Sequence, residues 1–428
     1  MKEHWTKLGF VLAAIGSAVG LGNIWRFPYM VGENGGGAFL IPYIIGIILL
    51  AFPVMLIETA MGRKFKGSSV KVFEKINKNL KYVGIFIVIV MLSILSYYLV
   101  IAGWTLGFSV FSIFGNISFS LFTSSLLPVV TFLIVLSITG WVVHEGIHKG
   151  IEKLCKFLIP ILLIILTILV VNSLSLPGAI EGVKFYLSPN FSSLLNPSIW
   201  LVGFSQAFFS LSVGTAILLT YGSHLTSENI KKNAIEIITA DTSIALLAGL
   251  IIFPIVFSFG ASPSAGPKLV FVTLPQIFST MIFGNVFGFL FFVLLLIGAL
   301  TSTVSMMEVG VASFMDKLKF KRAKATKIIT ILVGLAALPS LLSYTNLNLA
   351  IFGKPILDVM DVMFGSMFLP LAAALLTIGI TWFIKPKTII KAIDKNSKTK
   401  TPKILIYITK YIVPIILISL FVLEIFSL

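Results

Sequence analysis

Residues 16–28 read "GSAVGLGNIWRFP" and fall inside the first apolar run of the chain. Three glycines, an asparagine, an arginine and a proline stand where a membrane helix should be most uniform. Glycine and proline weaken a helix, and the polar groups are costly in hydrocarbon. A helix crosses a bilayer because its backbone groups bond one another, so an unwound stretch must line a cavity or bind something. A second such stretch, "QAFFSLSVGTAILLTYGS" at 206–223, places Gln206, Ser210, Ser212, Gly214 and Thr215 in mid-span. Taken singly, each pattern also suits close helix packing through small residues. Two interruptions five spans apart point instead to a binding site.

The rest of the chain sets the frame for these breaks. Of 428 residues, 57% are hydrophobic and 11% charged, far from the roughly 25% charge of a soluble domain. Apolar runs long enough to cross about 30 Å of hydrocarbon recur along the whole length. They predict eleven spans, near 8–30, 38–60, 82–108, 121–143, 157–175, 199–221, 235–260, 286–314, 328–343, 357–384 and 404–424. No polar stretch is long enough for a separate soluble domain, so residues 1–428 read as one integral domain. The first run lacks a small-residue cleavage site and carries Arg26, unlike a removable signal peptide. The single Cys155 rules out an intrachain disulfide.

A net charge of +16 raises the question of nucleic acid, and its distribution answers it. With the N-terminus placed inside, 27 of the 32 lysines and arginines fall in the N-terminal tail and five loops on that side. The opposite loops hold only Lys184, Lys268 and Lys354. This bias predicts a cytoplasmic N-terminus, and an odd span count then places the C-terminus outside. The basic loops are expected to face lipid headgroups and water, with no nucleic-acid partner.

Because five spans separate the two breaks, the corresponding helices run in opposite directions. That is the arrangement of an inverted repeat, with 1–175 and 199–384 as its halves and 404–424 as an additional helix. Discontinuous helices at matching places in two halves point to a midplane transport site. Half-helix N-termini offer N–H groups to an anion, and freed carbonyls offer oxygen to a cation. Further mid-span polar groups favour a cavity: Thr301, Ser302 and Thr303 in the eighth span, Tyr97 and Tyr98 in the third, Asp241 in the seventh and Glu58 in the second. Glu58 lies near a span's cytoplasmic end, where a snorkelling role competes with a functional one.

"GSAVGLGNIWRFPYMVGENGGGAFLIPY" resembles the first-span signature of the neurotransmitter:sodium symporters, the LeuT-type family. The resemblance extends through "SYYLVIAGWTLGF", "HKGIEK", "FFSLSVG", "VTLPQIF" and "GALTSTVSMMEVG" to the tenth span. It implies an all-α polytopic fold with a 5+5 inverted repeat, discontinuous helices 1 and 6, and one extra C-terminal helix. It also implies a plasma-membrane symporter, not an enzyme, importing a small neutral amino acid by alternating access. Two sodium ions are implied, with no organic cofactor; the oligomeric state is open.

Residue by residue, the resemblance implies a first sodium site from the Ala18 carbonyl with Asn23, Ser210 and Asp241. A second would use carbonyls of Gly16, Val19 and Gly298 with the hydroxyls of Thr301 and Ser302. All-oxygen sets suit a hard cation. Asp241 departs from the asparagine common at the matching position; as a fixed charge beside the cation it implies chloride-independent transport. The substrate pocket would be lined by Ala18, Gly20, Leu21, Gly22, Ile94, Tyr98, Phe209, Ser210, Ser212, Thr215, Ser302 and Met306. Monoamine carriers have aspartate where Gly20 stands, so an amino acid is expected, and Ile94, Phe209 and Met306 favour an apolar side chain. Arg26 and Asp361 match an outer gate pair, with Phe209 as a lid. Lys2, Trp5, Ser223 and Asp316 match an inner gate network, Lys2 standing where arginine is usual and His224 where tyrosine is usual.

A reading from another class rests on "HEGIH" at 144–148, which satisfies the zinc-protease pattern H-E-x-x-H. His144 and His148 would bind zinc, Glu145 would activate water and Glu152 could add a third ligand. Glycines at 146 and 150 weaken the helix this motif needs, and the segment lies in a basic loop, so zinc is not expected.

Overall fold

In the computed structural model, which describes residues 4–115, 118–264 and 269–427, eight helices are long and apolar enough to cross a membrane. A ninth span is the pair Lys7–Ala18 and Gly22–Glu33, bent by 44° at the glycine-rich break. One of the eight, Leu127–Leu174, has 48 residues and as a straight helix would measure about 72 Å, more than twice the hydrocarbon thickness. It turns at Gly146, whose φ of 92° ends the helix Leu127–Gly146, and resumes through Ile147–Glu152 into Lys153–Leu174. That run therefore supplies the fourth and fifth spans. Pro197–Ser210 and Ile217–Gly222, each too short to cross alone, together form the interrupted sixth. Counted so, the described residues supply up to eleven apolar crossings, of which the first and the sixth are each split between two separate helices.

The remaining spans are Gly37–Phe65, Lys78–Phe114, Ile230–Ser258, Gly284–Leu318, Arg322–Leu342, Ile356–Thr381 and Lys403–Phe426. Their burial sorts them into layers. The third and eighth spans are 72% and 67% buried over their most apolar windows and pack along each other through the centre. The ninth and eleventh are only 39% and 28% buried, and the Leu127–Leu174 run 33%, so these form the lipid-facing shell. Large apolar side chains such as Trp141, Phe157 and Ile164 stand exposed there, as a hydrocarbon solvent allows.

Two short helices follow longer spans: Ser69–Ile76 comes after the second, and Leu269–Thr280 after the seventh. A two-residue hairpin, Ala350–Ile351 with Lys354–Pro355, decorates the link between the ninth and tenth spans.

Candidate functional site

The first break is a short extended segment. Val19 leaves the helix with φ −75° and ψ 108°, which turns its carbonyl away from the preceding helical ladder. The freed N–H groups find side-chain partners, one local and one on the third span. Gly20 N–H donates to Asn23 Oδ1 at 3.1 Å, and Leu21 N–H donates to the Tyr98 hydroxyl at 3.0 Å. Close approach is possible because Gly298 of the eighth span lies against it: a Cβ at Gly298 would sit 3.1 Å from Gly20 Cα and 3.5 Å from the Val19 carbonyl oxygen. A Cβ at Gly20 would collide with the Ser302 hydroxyl.

The sixth-span break runs through Ser212, Gly214 and Ala216, all with φ between 50° and 83°. Its organiser is Glu58 of the second span. Glu58 Oε2 accepts the Gly214 N–H at 2.9 Å, and Oε1 accepts the Leu219 N–H at 3.4 Å. Leu219 is in the first turn of the half-helix Ile217–Gly222, where N–H groups lack helical acceptors and a negative charge is favoured. The snorkelling role considered for Glu58 is therefore incorrect: its side chain is fully buried and spent on the broken backbone.

Beneath the first break lies a polar knot. Asn23 Nδ2 donates to Asp241 Oδ1 at 2.7 Å and to Ser210 Oγ at 2.9 Å, and Ser210 Oγ donates to Asp241 Oδ2 at 2.8 Å. Tyr43 adds its hydroxyl to Ser210 at 3.2 Å, a contact the sequence reading lacked. Asp241 is mid-helix and fully buried, and among the described residues no lysine or arginine nitrogen lies within 4.0 Å of it. A carboxylate held by neutral donors alone leaves a charge that a small cation can balance. Ala18 ends the helix above it.

The second oxygen set clusters where the eighth span meets the first. Thr301 Oγ1 donates to the carbonyls of Ile297 and Gly298, each at 3.1 Å, and a Cβ at Gly16 would lie 3.1 Å from Thr301 Cβ. Ser302 and Ser212 both direct hydroxyls to the Ser17 carbonyl, at 3.4 and 2.9 Å. The donors available are hydroxyls and backbone carbonyls, chemistry suited to a hard monovalent ion.

Between the two breaks lies a central cavity. Of the pocket residues expected from the sequence, Ala18, Gly20, Gly22, Ile94, Tyr98, Phe209, Ser212, Thr215, Ser302 and Met306 line it. Leu21 and Ser210 do not: Leu21 presents only its N–H toward Tyr98, and Ser210 is held in the Asp241 knot. Ser17, Met91, Ile217 and Leu369 also line it, none of them among the pocket residues expected from the sequence. Met91 is one helical turn from Ile94, a periodicity that could have found it; Leu369 had no such signal.

The gates are only partly assembled as expected. Arg26 donates to Gln206 Oε1 at 2.6 Å, and its guanidinium lies 4.5 Å over the Phe209 ring. The expected ion pair with Asp361 is not closed, since no N–O distance of 4.0 Å or less joins them; Gln206 takes the guanidinium instead. Asp361 Oδ1 and the Tyr97 hydroxyl both face Gly365, at 2.9 and 2.8 Å from where its Cβ would be. On the other side, Trp5 is buried and donates to the Tyr221 carbonyl at 3.0 Å, edge-on to the Tyr221 ring. Asp316 is engaged by Ser68 N–H at 2.6 Å and Lys71 at 2.9 Å, and Ser223 bonds back to Thr220. Lys2 lies outside the described residues.

The metalloprotease constellation is not built. Gly146 separates His144 from His148, so the two no longer share one helical face. His148 and Lys156 instead flank Glu152, which also receives the Thr6 N–H and hydroxyl. Among the described residues, no three His, Cys, Asp or Glu side chains gather as metal ligands.

Known proteins share this architecture. The family profile described as "Sodium:neurotransmitter symporter family" matches residues 2–125 and 126–428. An uncharacterized sodium-dependent transporter of Bacillus subtilis, YhdH, is 37% identical over 97% of this chain and 96% of its own. The sodium-dependent serotonin transporter of Drosophila melanogaster is 27% identical, over 99% of this chain and 76% of its own. The crystal structure of MhsT in complex with L-phenylalanine superposes with a TM-score of 0.90 at 38% identity, covering 99% of both chains. Two broken spans around a central cavity, with oxygen-rich sets at the breaks, are thus found in a chain that belongs to the sodium:neurotransmitter symporter family, whose members are transporters and not enzymes.

Proposed function

We propose that this sodium-dependent transporter imports a neutral amino acid with an apolar side chain, coupled to sodium at two sites and independent of chloride. The observation that carries the reading is the fully buried Asp241, bonded to Asn23 and Ser210 directly below the first break with no basic partner within 4.0 Å among the described residues. A carboxylate built into the chain there supplies, when a cation binds, the negative charge that a chloride ion would otherwise bring. The second ion belongs among Gly16, Val19, Gly298, Thr301 and Ser302. A substrate carboxylate fits the break near Leu21 and Tyr98, and Met91, Ile94, Met306 and Leu369 suit an apolar side chain. The L-phenylalanine in complex with the related MhsT favours the same class.

The charge asymmetry of the loops supports a cytoplasmic N-terminus and an external C-terminus. The short helices after the second and seventh spans support halves at 1–175 and 199–384. Alternating access would then move the broken spans against the rest, opening in turn beside Phe209 and beside Trp5. The test is uptake by reconstituted vesicles, screened over the twenty amino acids with and without an inward sodium gradient. Uptake of at least one apolar amino acid should require sodium and persist when gluconate replaces chloride. Sodium-independent uptake, or loss without chloride, refutes the reading.

A further inference from the structure

Outside the central site, a strongly basic concavity lies where the second span ends beside the helix Pro386–Asp394. It encloses about 1100 Å³, and five cations line it: Arg63, Lys64, Lys387, Lys391 and Lys395. The one carboxylate in its lining, Asp394, is already committed to Lys231 at 2.6 Å and to Thr401. Among the described residues no carboxylate oxygen lies within 4.0 Å of Lys64, Lys387, Lys391 or Lys395.

The geometry holds these charges together rather than dispersing them. Ile389 and Ile393 bury one face of the helix, so Lys387 and Lys391, one turn apart, project from the other beside Lys395. Arg63 fixes the opposite wall by donating to the carbonyls of Glu228 at 2.6 Å and Ala392 at 2.7 Å. Those bonds anchor the helix without neutralising the guanidinium. Like charges at this spacing repel, and the four lysines have no carboxylate among the described residues to compensate them.

The depth of the groove identifies the counter-charge. Trp382 and Phe383, exposed at the end of the tenth span, immediately precede the helix, and exposed Ile404 and Tyr407 open the eleventh. Exposed aromatic residues at a span's end mark the membrane interface. We infer that this groove is a binding site for the phosphate headgroup of an anionic phospholipid, whose chains lie along the apolar surface beside it. Basic pockets beside spans on the cytoplasmic face recognise such headgroups. The inference rests on the proposed orientation only in assigning the groove to the inner leaflet.

The test is native mass spectrometry of the purified transporter in detergent with equal phosphatidylglycerol and phosphatidylcholine. The wild type should retain phosphatidylglycerol over phosphatidylcholine, and the variant Lys387→Gln/Lys391→Gln/Lys395→Gln should lose about fivefold or more of that preference. A variant of equal charge loss in another loop, Lys319→Gln/Lys321→Gln/Lys324→Gln, should keep it. Lys391→Glu should reduce retention further than Lys391→Gln. An unchanged preference in the first variant, or an equal loss in the second, overturns the site. Abolition of the preference by millimolar inorganic phosphate overturns the lipid as its source and leaves a soluble anion. These outcomes do not depend on transport, so they stand apart from any test of substrate or sodium coupling.

Discussion

Replacing Glu58 by glutamine removes a charge and one acceptor from the sixth-span break while conserving size. The amide carbonyl can keep the Gly214 N–H, now 2.9 Å from Glu58 Oε2, but the amino group must then face the Leu219 N–H that Oε1 accepts at 3.4 Å. One bond falls from charge-assisted to neutral, a difference of about 1 kcal/mol. A half-helix N-terminus loses its negative partner and has a donor against a donor, about 1 to 2 kcal/mol more. The sum, about 2 to 3 kcal/mol, falls on the conformation that forms the cavity and corresponds to roughly 30- to 150-fold in substrate affinity. The fold itself gains back part of this, because an uncharged amide is cheaper to bury than a carboxylate.

Affinity and stability should therefore separate. Equilibrium binding of a labelled substrate in saturating sodium should weaken by the factor above, while the thermal midpoint of the substrate-free protein should move by only a few degrees. Glu58→Asp keeps the charge on a shorter arm and should fall between wild type and Glu58→Gln. Binding by Glu58→Gln within about threefold of wild type would show that the Gly214 and Leu219 bonds do not hold the break in its binding form.

Other perturbations test the ion sites and the outer closure. Thr301→Ala with Ser302→Ala should raise the sodium concentration for half-maximal uptake by about tenfold or more, measured at limiting sodium; an unchanged value removes the second site. Asp241→Asn should slow uptake and make the remainder respond to chloride, so a chloride titration identical to wild type refutes the role of its charge. Gln206→Leu leaves the Arg26 guanidinium one acceptor short and should lower uptake through a cost of about 1 to 3 kcal/mol, whereas exchanging Arg26 and Asp361 should recover part of what each reversal loses. Purely additive losses in that cycle mean the two charges act separately.

Which of these partners the sequence displays follows from the kind of atom that does the work. Breaks in a membrane helix are written in side chains, because glycine and polar residues contrast with an apolar background; residues 16–28 and 206–223 were legible for that reason. Asp241, Thr301 and Ser302 stood out on the same contrast. Glu58 stood out too, but its partners are the N–H groups of Gly214 and Leu219, more than 150 residues away, and a backbone donor has no label in the sequence. Its depth at the span's end suggested water, and the true acceptor role depended on how the sixth span unwinds. Arg26 illustrates the other limit. Its charge marked Asp361 as the natural partner, yet a neutral glutamine on the broken sixth span lies closer and takes the guanidinium. Leu21 lies in the break itself, where the 3.6-residue repeat no longer fixes which side faces inward, and Ser210 is turned away from the cavity lining to Asn23 and Asp241. The same loss of helical register that frees backbone oxygen for an ion also removes the periodicity from which facing residues are read. Sequence reading is therefore least informative about facing at the positions a transporter of this kind uses for binding.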